Sequence, residues 1–107
     1  MTPKEILDEA NQSAQEAGQL AVIEHGDTQG LCGAAWIVLR PARGAFVNYL
    51  KSQGIGERGV YGGWEISVDG PQGYRGQNSD VKEAAVRAFA RVLKDNGLRA
   101  SVCTRLV

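Results

Sequence analysis

The chain has 107 residues, the length of one domain, and its 43% apolar and 22% charged residues are typical of folded rather than disordered proteins. Twelve Lys and Arg balance twelve Asp and Glu, so no net charge draws the chain toward nucleic acid or acidic membranes. The longest strongly apolar run, 34–39, is far shorter than the roughly 20 residues that span a bilayer, and we expect a cytoplasmic protein with no membrane partner.

The opening residues predict a helix over 2–17. Thr2 and Glu5 stand at the positions whose side chains satisfy the free amides of a helix start, and Pro3 suits the first turn. Gly18 is placed to end the helix, because glycine readily adopts the left-handed conformation of a helix terminus. Its apolar face is narrow and mostly alanine, so we expect this helix to be appended to the rest of the domain.

Two strands are predicted after this helix. The run 20–23 is short and compatible with a strand, and a loop rich in turn-forming residues follows at 25–30. Both alternating faces of 32–39 are apolar, which is typical of an interior strand covered on both sides or lying beside an oligomer contact. Pro41 ends this second strand.

One helix ending occurs twice in the sequence. Residues 45–55 recur as 88–98, with Ala, Phe, Leu, Lys and Gly at matching positions. Each copy predicts a helix that is closed by a glycine, the first over about 42–53 and the second over 80–96. In such an ending the hydrophobic residue after the glycine contacts a residue of the last turn. The rule predicts two pairs: Ile55 with Leu50, and Leu98 with Leu93.

Three further strands are predicted around the second of these helices. Residues 60–69 alternate between apolar and polar side chains, with Trp64 facing inward. Turn-forming residues at 69–73 and a brief polar strand at 74–77 predict a hairpin. The alternating residues 100–107 predict the last strand.

The predicted order from residue 32 onward is β-α-β-β-α-β. This order resembles the ferredoxin-like split β-α-β fold, which implies an antiparallel sheet with both helices on one face. We therefore expect a single α+β domain over 1–107, in which the helix 2–17 is appended to a core formed by 32–107. The resemblance concerns architecture only, because this fold carries many unrelated functions.

A weak catalytic pattern is present in the first loop. Glu24, His25, Asp27 and Cys32 lie within nine residues, and a thiol beside an imidazole held by a carboxylate is the minimum for nucleophilic catalysis. A polar turn contains such residues by default, so we favour a solvated loop and expect neither an enzyme nor a cofactor or metal. Cys32 and Cys103 fit no metal or redox spacing and are interpreted as ordinary thiols in a reducing compartment.

Two tryptophans, Trp36 and Trp64, occupy apolar faces of predicted neighbouring strands. We interpret both as core anchors, because each would bury a large apolar area there. A platform for a ligand is the alternative role for this pair.

Arginines and tyrosines near strand ends and loops form a candidate binding surface. Its residues are Arg40, Arg43, Arg58, Tyr61, Glu65, Tyr74 and Arg75. The uncovered face of a four-stranded sheet is where single-stranded nucleic acid commonly binds, but zero net charge and nearby carboxylates oppose that role. We therefore expect a non-catalytic protein-interaction or self-assembly module, with a homodimer through the sheet face or edge. A nucleic-acid-binding protein using the Tyr/Arg face is the alternative.

Overall fold

The computed structural model describes residues 2–25, 33–68 and 79–106. These residues form three helices and one four-stranded antiparallel sheet, which confirms the predicted α+β class. Within the described part of the chain, no helix has the length and apolar character needed to cross a membrane. The elements are α1 (Pro3–His25), β1 (Gly33–Leu39), α2 (Ala45–Ser52), β2 (Glu57–Arg58), β3 (Trp64–Ser67), α3 (Ser79–Asp95) and β4 (Ala100–Leu106).

The predicted capping pattern at the start of α1 is confirmed. The Glu5 carboxylate accepts a hydrogen bond from the Thr2 backbone N–H at 3.1 Å, and the Thr2 hydroxyl accepts one from the Glu5 N–H at 3.2 Å. The backbone hydrogen bond from Thr2, followed by its side-chain hydrogen bond, lowers the pKa of Glu5 below its ordinary value. Local sequence therefore determines where this helix begins.

The end of α1 differs from the prediction. The helix continues through Gly18 to His25, so residues 20–23 are helical and not the predicted strand. A glycine inside a helix costs only about 1 kcal/mol, which tertiary packing can offset. Ala14 and Ala21, two helical turns apart, are both buried on the packed face of the helix.

The sheet has the strand order β2-β3-β1-β4, and every neighbouring pair is antiparallel. The interior position predicted for the strand at 32–39 is confirmed, because β1 has β3 on one side and β4 on the other. Beside β1, on the side away from β4, lies the alternating strand Trp64–Ser67. The predicted strand 74–77 lies outside the described residues.

A hairpin turn lies within the segment 60–69 that was predicted to be a strand. It joins β2 to β3 through 59–63, where the Gly59 N–H donates to the Gly63 carbonyl at 3.0 Å. Gly62 and Gly63 take φ angles of 91° and 78°, a region that side chains disfavour and glycine allows. Val60, predicted to face inward in a strand, is instead 90% exposed at this turn. The predicted turn at 69–73 lies outside the described residues.

Both predicted glycine-closed helix endings are confirmed. The Ile55 N–H donates to the Leu50 carbonyl at 2.9 Å, and the Leu98 N–H donates to the Leu93 carbonyl at 3.0 Å. The glycines between them have φ angles of 70° and 80°, as this ending requires. Helix α2 is shorter than predicted because it begins at Ala45, whereas α3 keeps the predicted length and is shifted by one residue, to Ser79–Asp95.

One cluster of buried side chains contains residues of all three helices and of the sheet. From the sheet it includes Ile37 and Leu39 of β1, Ile66 of β3 and Ala100 of β4. The helices contribute, among others, Ile6, Leu7, Ala10 and Ala14 of α1, Phe46 and Leu50 of α2, and Phe89 and Leu93 of α3. Because side chains alternate along a strand, the residues between these sheet positions lie on the opposite side of the sheet.

Candidate functional site

One side of the sheet, among the described residues, takes no part in the core cluster. We call it the open face, and its side chains are Glu57 of β2, Glu65 and Ser67 of β3, Ala34, Trp36 and Val38 of β1, and Ser101, Cys103 and Arg105 of β4. Only Val38 of this set is buried; the others are exposed or half-buried.

Trp36 is at the centre of the open face. It lies directly opposite Ser67 on β3 and Cys103 on β4. Its indole is half-buried, and Trp36 was predicted to anchor the core. That interpretation is wrong for Trp36, because it lies on the side opposite the core residues Ile37 and Leu39. Within 2–25, 33–68 and 79–106 this ring packs against no residue of the core cluster, and a large aromatic ring in such a position can contact another molecule.

Trp64 has the role that the sequence predicted for both tryptophans. It lies on the helix side of β3 and packs against the core cluster. Its indole N–H donates to the Ile55 carbonyl at 3.0 Å, and the Lys51 ammonium lies 5.1 Å from the ring centroid. These contacts join β3 to the end of α2, so Trp64 is a structural residue.

A depression lies beside Trp36 at the β2–β3 side of the open face. It has a volume of about 230 Å³ and is lined by Trp36, Gly56, Glu57, Glu65 and Ser67. Glu57 and Glu65 are directly opposite each other in the β2–β3 register, an arrangement in which like charges repel. The depression therefore combines an indole with two carboxylates, which favours a cationic group.

The charges of the open face have no partners among the described residues. Neither Glu57, Glu65 nor Arg105 forms an ion pair or side-chain hydrogen bond there. Arg105 is exposed at the far end of β4, opposite Ala34 of β1. The acidic pair and the arginine thus occupy different ends of the same surface.

The structure does not place the predicted surface residues on one face. Arg58 is opposite Trp64, so it lies on the helix side of the edge strand, whereas Glu65 is on the open face. Tyr61 is 92% exposed at the hairpin turn, and Arg40 and Arg43 are exposed in the segment between β1 and α2. The remaining two predicted residues, Tyr74 and Arg75, lie outside the described residues.

The weak catalytic pattern is only partly described. Glu24 is exposed in the last turn of α1, while Asp27, Cys32 and the side chain of His25 lie outside the described residues. Their approach to one another thus stays untested. Across 2–25, 33–68 and 79–106, no three His, Cys, Asp or Glu side chains are grouped so that they would hold a metal ion.

A second surface feature lies between α1 and α3. This groove has a volume of about 520 Å³ and includes Leu20, Ala84, Ala88, Arg91 and Asp95 in its lining. Arg87, which also borders it, donates to Glu83 at 2.8 Å, so part of its charge is paired within the helix. Because its volume exceeds that of the depression beside Trp36, the groove is the main alternative to the open face as a contact surface.

Sequence reasoning missed Glu57 and Arg105, and it favoured a core position for Trp36, with a ligand platform as the alternative. The available signal was the strand with two apolar faces, which suggested an oligomer contact but not which side was uncovered. Comparisons of the chain with protein-family models, with curated proteins and with solved structures gave no match. The functional argument therefore rests on the geometry of the open face.

Proposed function

We propose that this chain is a small non-catalytic binding domain that associates with a protein partner, foremost a second copy of itself, through the open face. One observation carries the proposal: the half-buried Trp36 lies at the centre of a sheet face whose described residues take no part in the core cluster. Partly exposed aromatic residues surrounded by small and polar side chains are characteristic of protein contact surfaces. Burial of this ring would supply the main apolar contribution to association.

The size of the face predicts a modest affinity. The four strands have two to seven residues, and a rise of about 3.3 Å per residue with a strand spacing of about 4.8 Å gives the face an outline of roughly 300 Å². Stable interfaces usually bury about 800 Å² on each partner. We therefore expect a reversible dimer with a dissociation constant in the micromolar range or weaker.

Nucleic-acid binding is the second candidate. The exposed Tyr61 and Arg58 near the hairpin turn support it, because aromatic rings stack on bases and arginines contact phosphates. The carboxylates of Glu57 and Glu65 on the open face oppose it. Binding through phosphates would weaken steeply with added salt, whereas association through Trp36 would not.

Replacing Trp36 by glutamate is expected to convert the dimer into a monomer. A carboxylate at this position would have to be dehydrated on association and would face a second carboxylate across the two-fold axis. Light scattering after size-exclusion chromatography, at protein concentrations from about 10 µM to 1 mM, measures the mass. The wild type should approach twice the chain mass of 11.5 kDa, and the variant should remain at 11.5 kDa throughout.

Tyr61→Glu is the matched control, because it adds the same charge at another exposed aromatic residue, outside the open face. It should dimerise like the wild type. A Trp36→Glu variant that keeps the wild-type mass would contradict the proposal. A mass increase of the wild type only on adding a mixed oligonucleotide pool, lost at high salt, would favour the second candidate instead.

The finer architecture is also a proposal. We propose that β1 to β4 with α2 and α3 form a ferredoxin-like split β-α-β arrangement. In support, β1 and β2 flank α2 and are separated by β3, while β3 and β4 flank α3 and are separated by β1. Side chains of α2 and α3 also meet in one cluster. The single domain over 1–107 stays a prediction.

We also propose a cytoplasmic location. Cys103 is a free thiol, half-buried on the open face. Free thiols are usual in reducing compartments, where disulfides are rare. Fractionation of cells that produce the protein, followed by thiol labelling without reductant, tests this location.

A further inference from the structure

The open face carries opposite charges on the two sides of Trp36. Glu65 is on β3, the neighbour of β1 on one side of Trp36. It pairs with Val38, which lies two residues from Trp36 toward one end of β1. Arg105 is on β4, the neighbour of β1 on the other side of Trp36. It pairs with Ala34, which lies two residues from Trp36 toward the opposite end of β1. Trp36 is thus midway between an acidic and a basic corner of the same surface.

The two corners are too far apart to neutralise each other within one chain. Strand spacing of about 4.8 Å and a rise of about 3.3 Å per residue separate the Glu65 and Arg105 backbones by roughly 16 Å. Neither side chain has another ion-pair partner among the described residues. A surface with charges of both signs on opposite sides of its centre is complementary to itself.

We infer that two copies of this chain pack open face to open face about a two-fold axis over Trp36, with Arg105 of each copy in the other's depression beside Trp36, Glu57 and Glu65. This inference rests on the proposed function and specifies its geometry. The two-fold axis would lie between the two faces, perpendicular to the line from Glu65 to Arg105. Rotation about this axis places the basic corner of each copy over the acidic corner of the other. Each copy then contributes one arginine and receives one, which is the reciprocity of a closed dimer.

The depression suits a guanidinium group for three reasons. A planar guanidinium can donate to carboxylates in a fixed fork geometry, and Glu57 and Glu65 offer two carboxylates. The same cation can stack on the indole of Trp36. A positive charge between Glu57 and Glu65 also removes the repulsion of two carboxylates that face each other across β2 and β3.

The strand directions agree with known sheet packing. With the axis perpendicular to the Glu65–Arg105 line, the strands of the two copies cross at roughly 70°, close to the orthogonal class in which two sheets pack at about 90°. The two Trp36 rings would then lie near the axis and contact each other. The overall charge of zero imposes no repulsion between the copies.

A charge-reversal exchange tests the inference. In a dimer of Arg105→Glu, the new Glu of each copy would face Glu65 of the other copy. In a dimer of Glu65→Arg, the new Arg of each copy would face Arg105 of the other copy. Each variant alone should raise the dimer dissociation constant at least about tenfold, measured by sedimentation equilibrium. An equimolar mixture of the two variants should recover wild-type affinity as a mixed dimer, because both corner contacts are then complementary.

Arg91→Glu is the matched control, since it reverses an exposed charge on α3, in the groove on the helix side of the sheet. It should dimerise like the wild type. If Arg105→Glu and Glu65→Arg dimerise normally while Trp36→Glu is monomeric, the inferred pairing is overturned and the proposed function stands. If Trp36→Glu also dimerises, or the wild type is monomeric up to about 1 mM, the proposed self-association itself fails.

Discussion

Replacing Trp64 by alanine should lower the free energy of unfolding by about 3–5 kcal/mol, the usual cost of removing a large aromatic residue from a core. The ring packs against the core cluster, and its N–H donates to the Ile55 carbonyl. Removal leaves a cavity between β3 and the end of α2 and deprives that carbonyl of its donor. Urea denaturation followed by circular dichroism gives the free energy.

Trp36→Ala is the matched control for this experiment, because it removes the same ring from the opposite side of the sheet. At protein concentrations where the chain is monomeric, it should cost about 1 kcal/mol or less, as at other sites outside a core. Equal losses for Trp36 and Trp64 would contradict the division into a structural tryptophan and a contact tryptophan. A larger loss for Trp36 than for Trp64 would show that the core lies on the Trp36 side of the sheet.

Replacing Gly56 by alanine is expected to be similarly damaging. Gly56 has a φ angle of 85°, which costs a residue with a Cβ atom about 1–2 kcal/mol. An added Cβ would also lie 2.5 Å from the Glu65 carbonyl oxygen and would overlap the Trp64 indole nitrogen. Overpacking of this kind adds about 1–3 kcal/mol, so the total should be about 2–5 kcal/mol.

Gly54→Ala separates the two causes of that loss. Gly54 has a φ angle of 70°, but no atom lies within 4 Å of an added Cβ. It should therefore lose only the conformational cost of about 1–2 kcal/mol in the same denaturation experiment. Equal losses in the free energy of unfolding at Gly54 and Gly56 would show that the close approach of Gly56 to Trp64 does not affect stability.

Local rules predicted the features that depend on neighbouring residues alone. The Thr2–Glu5 cap and the Leu50–Ile55 and Leu93–Leu98 helix endings follow from hydrogen bonds within a few positions, and all are present. The turn at 59–63 was missed, because the alternation of apolar and polar residues over 60–69 also fits one continuous strand. The strand Trp64–Ser67 pairs with β1, a contact distant in sequence.

The remaining errors have the same origin in long-range packing. Gly18 has the chemistry of a helix end, yet burial of Ala14 and Ala21 extends α1 across it. Trp36 lies in a strand whose two faces are both apolar, so alternation could not determine which side the helices cover. The open face and its two charged corners depend on the register of three strands, which no local pattern specifies.

The most direct test of the open face is the response of backbone amide chemical shifts to dilution, from about 1 mM to 10 µM. If copies associate through the open face, the shifts should move at residues 34–38, 65–67 and 101–105 and should remain constant along the outer surfaces of α1 and α3. Shifts that instead change at Leu20, Ala84 and Ala88 would place the contact in the helix groove and contradict the account.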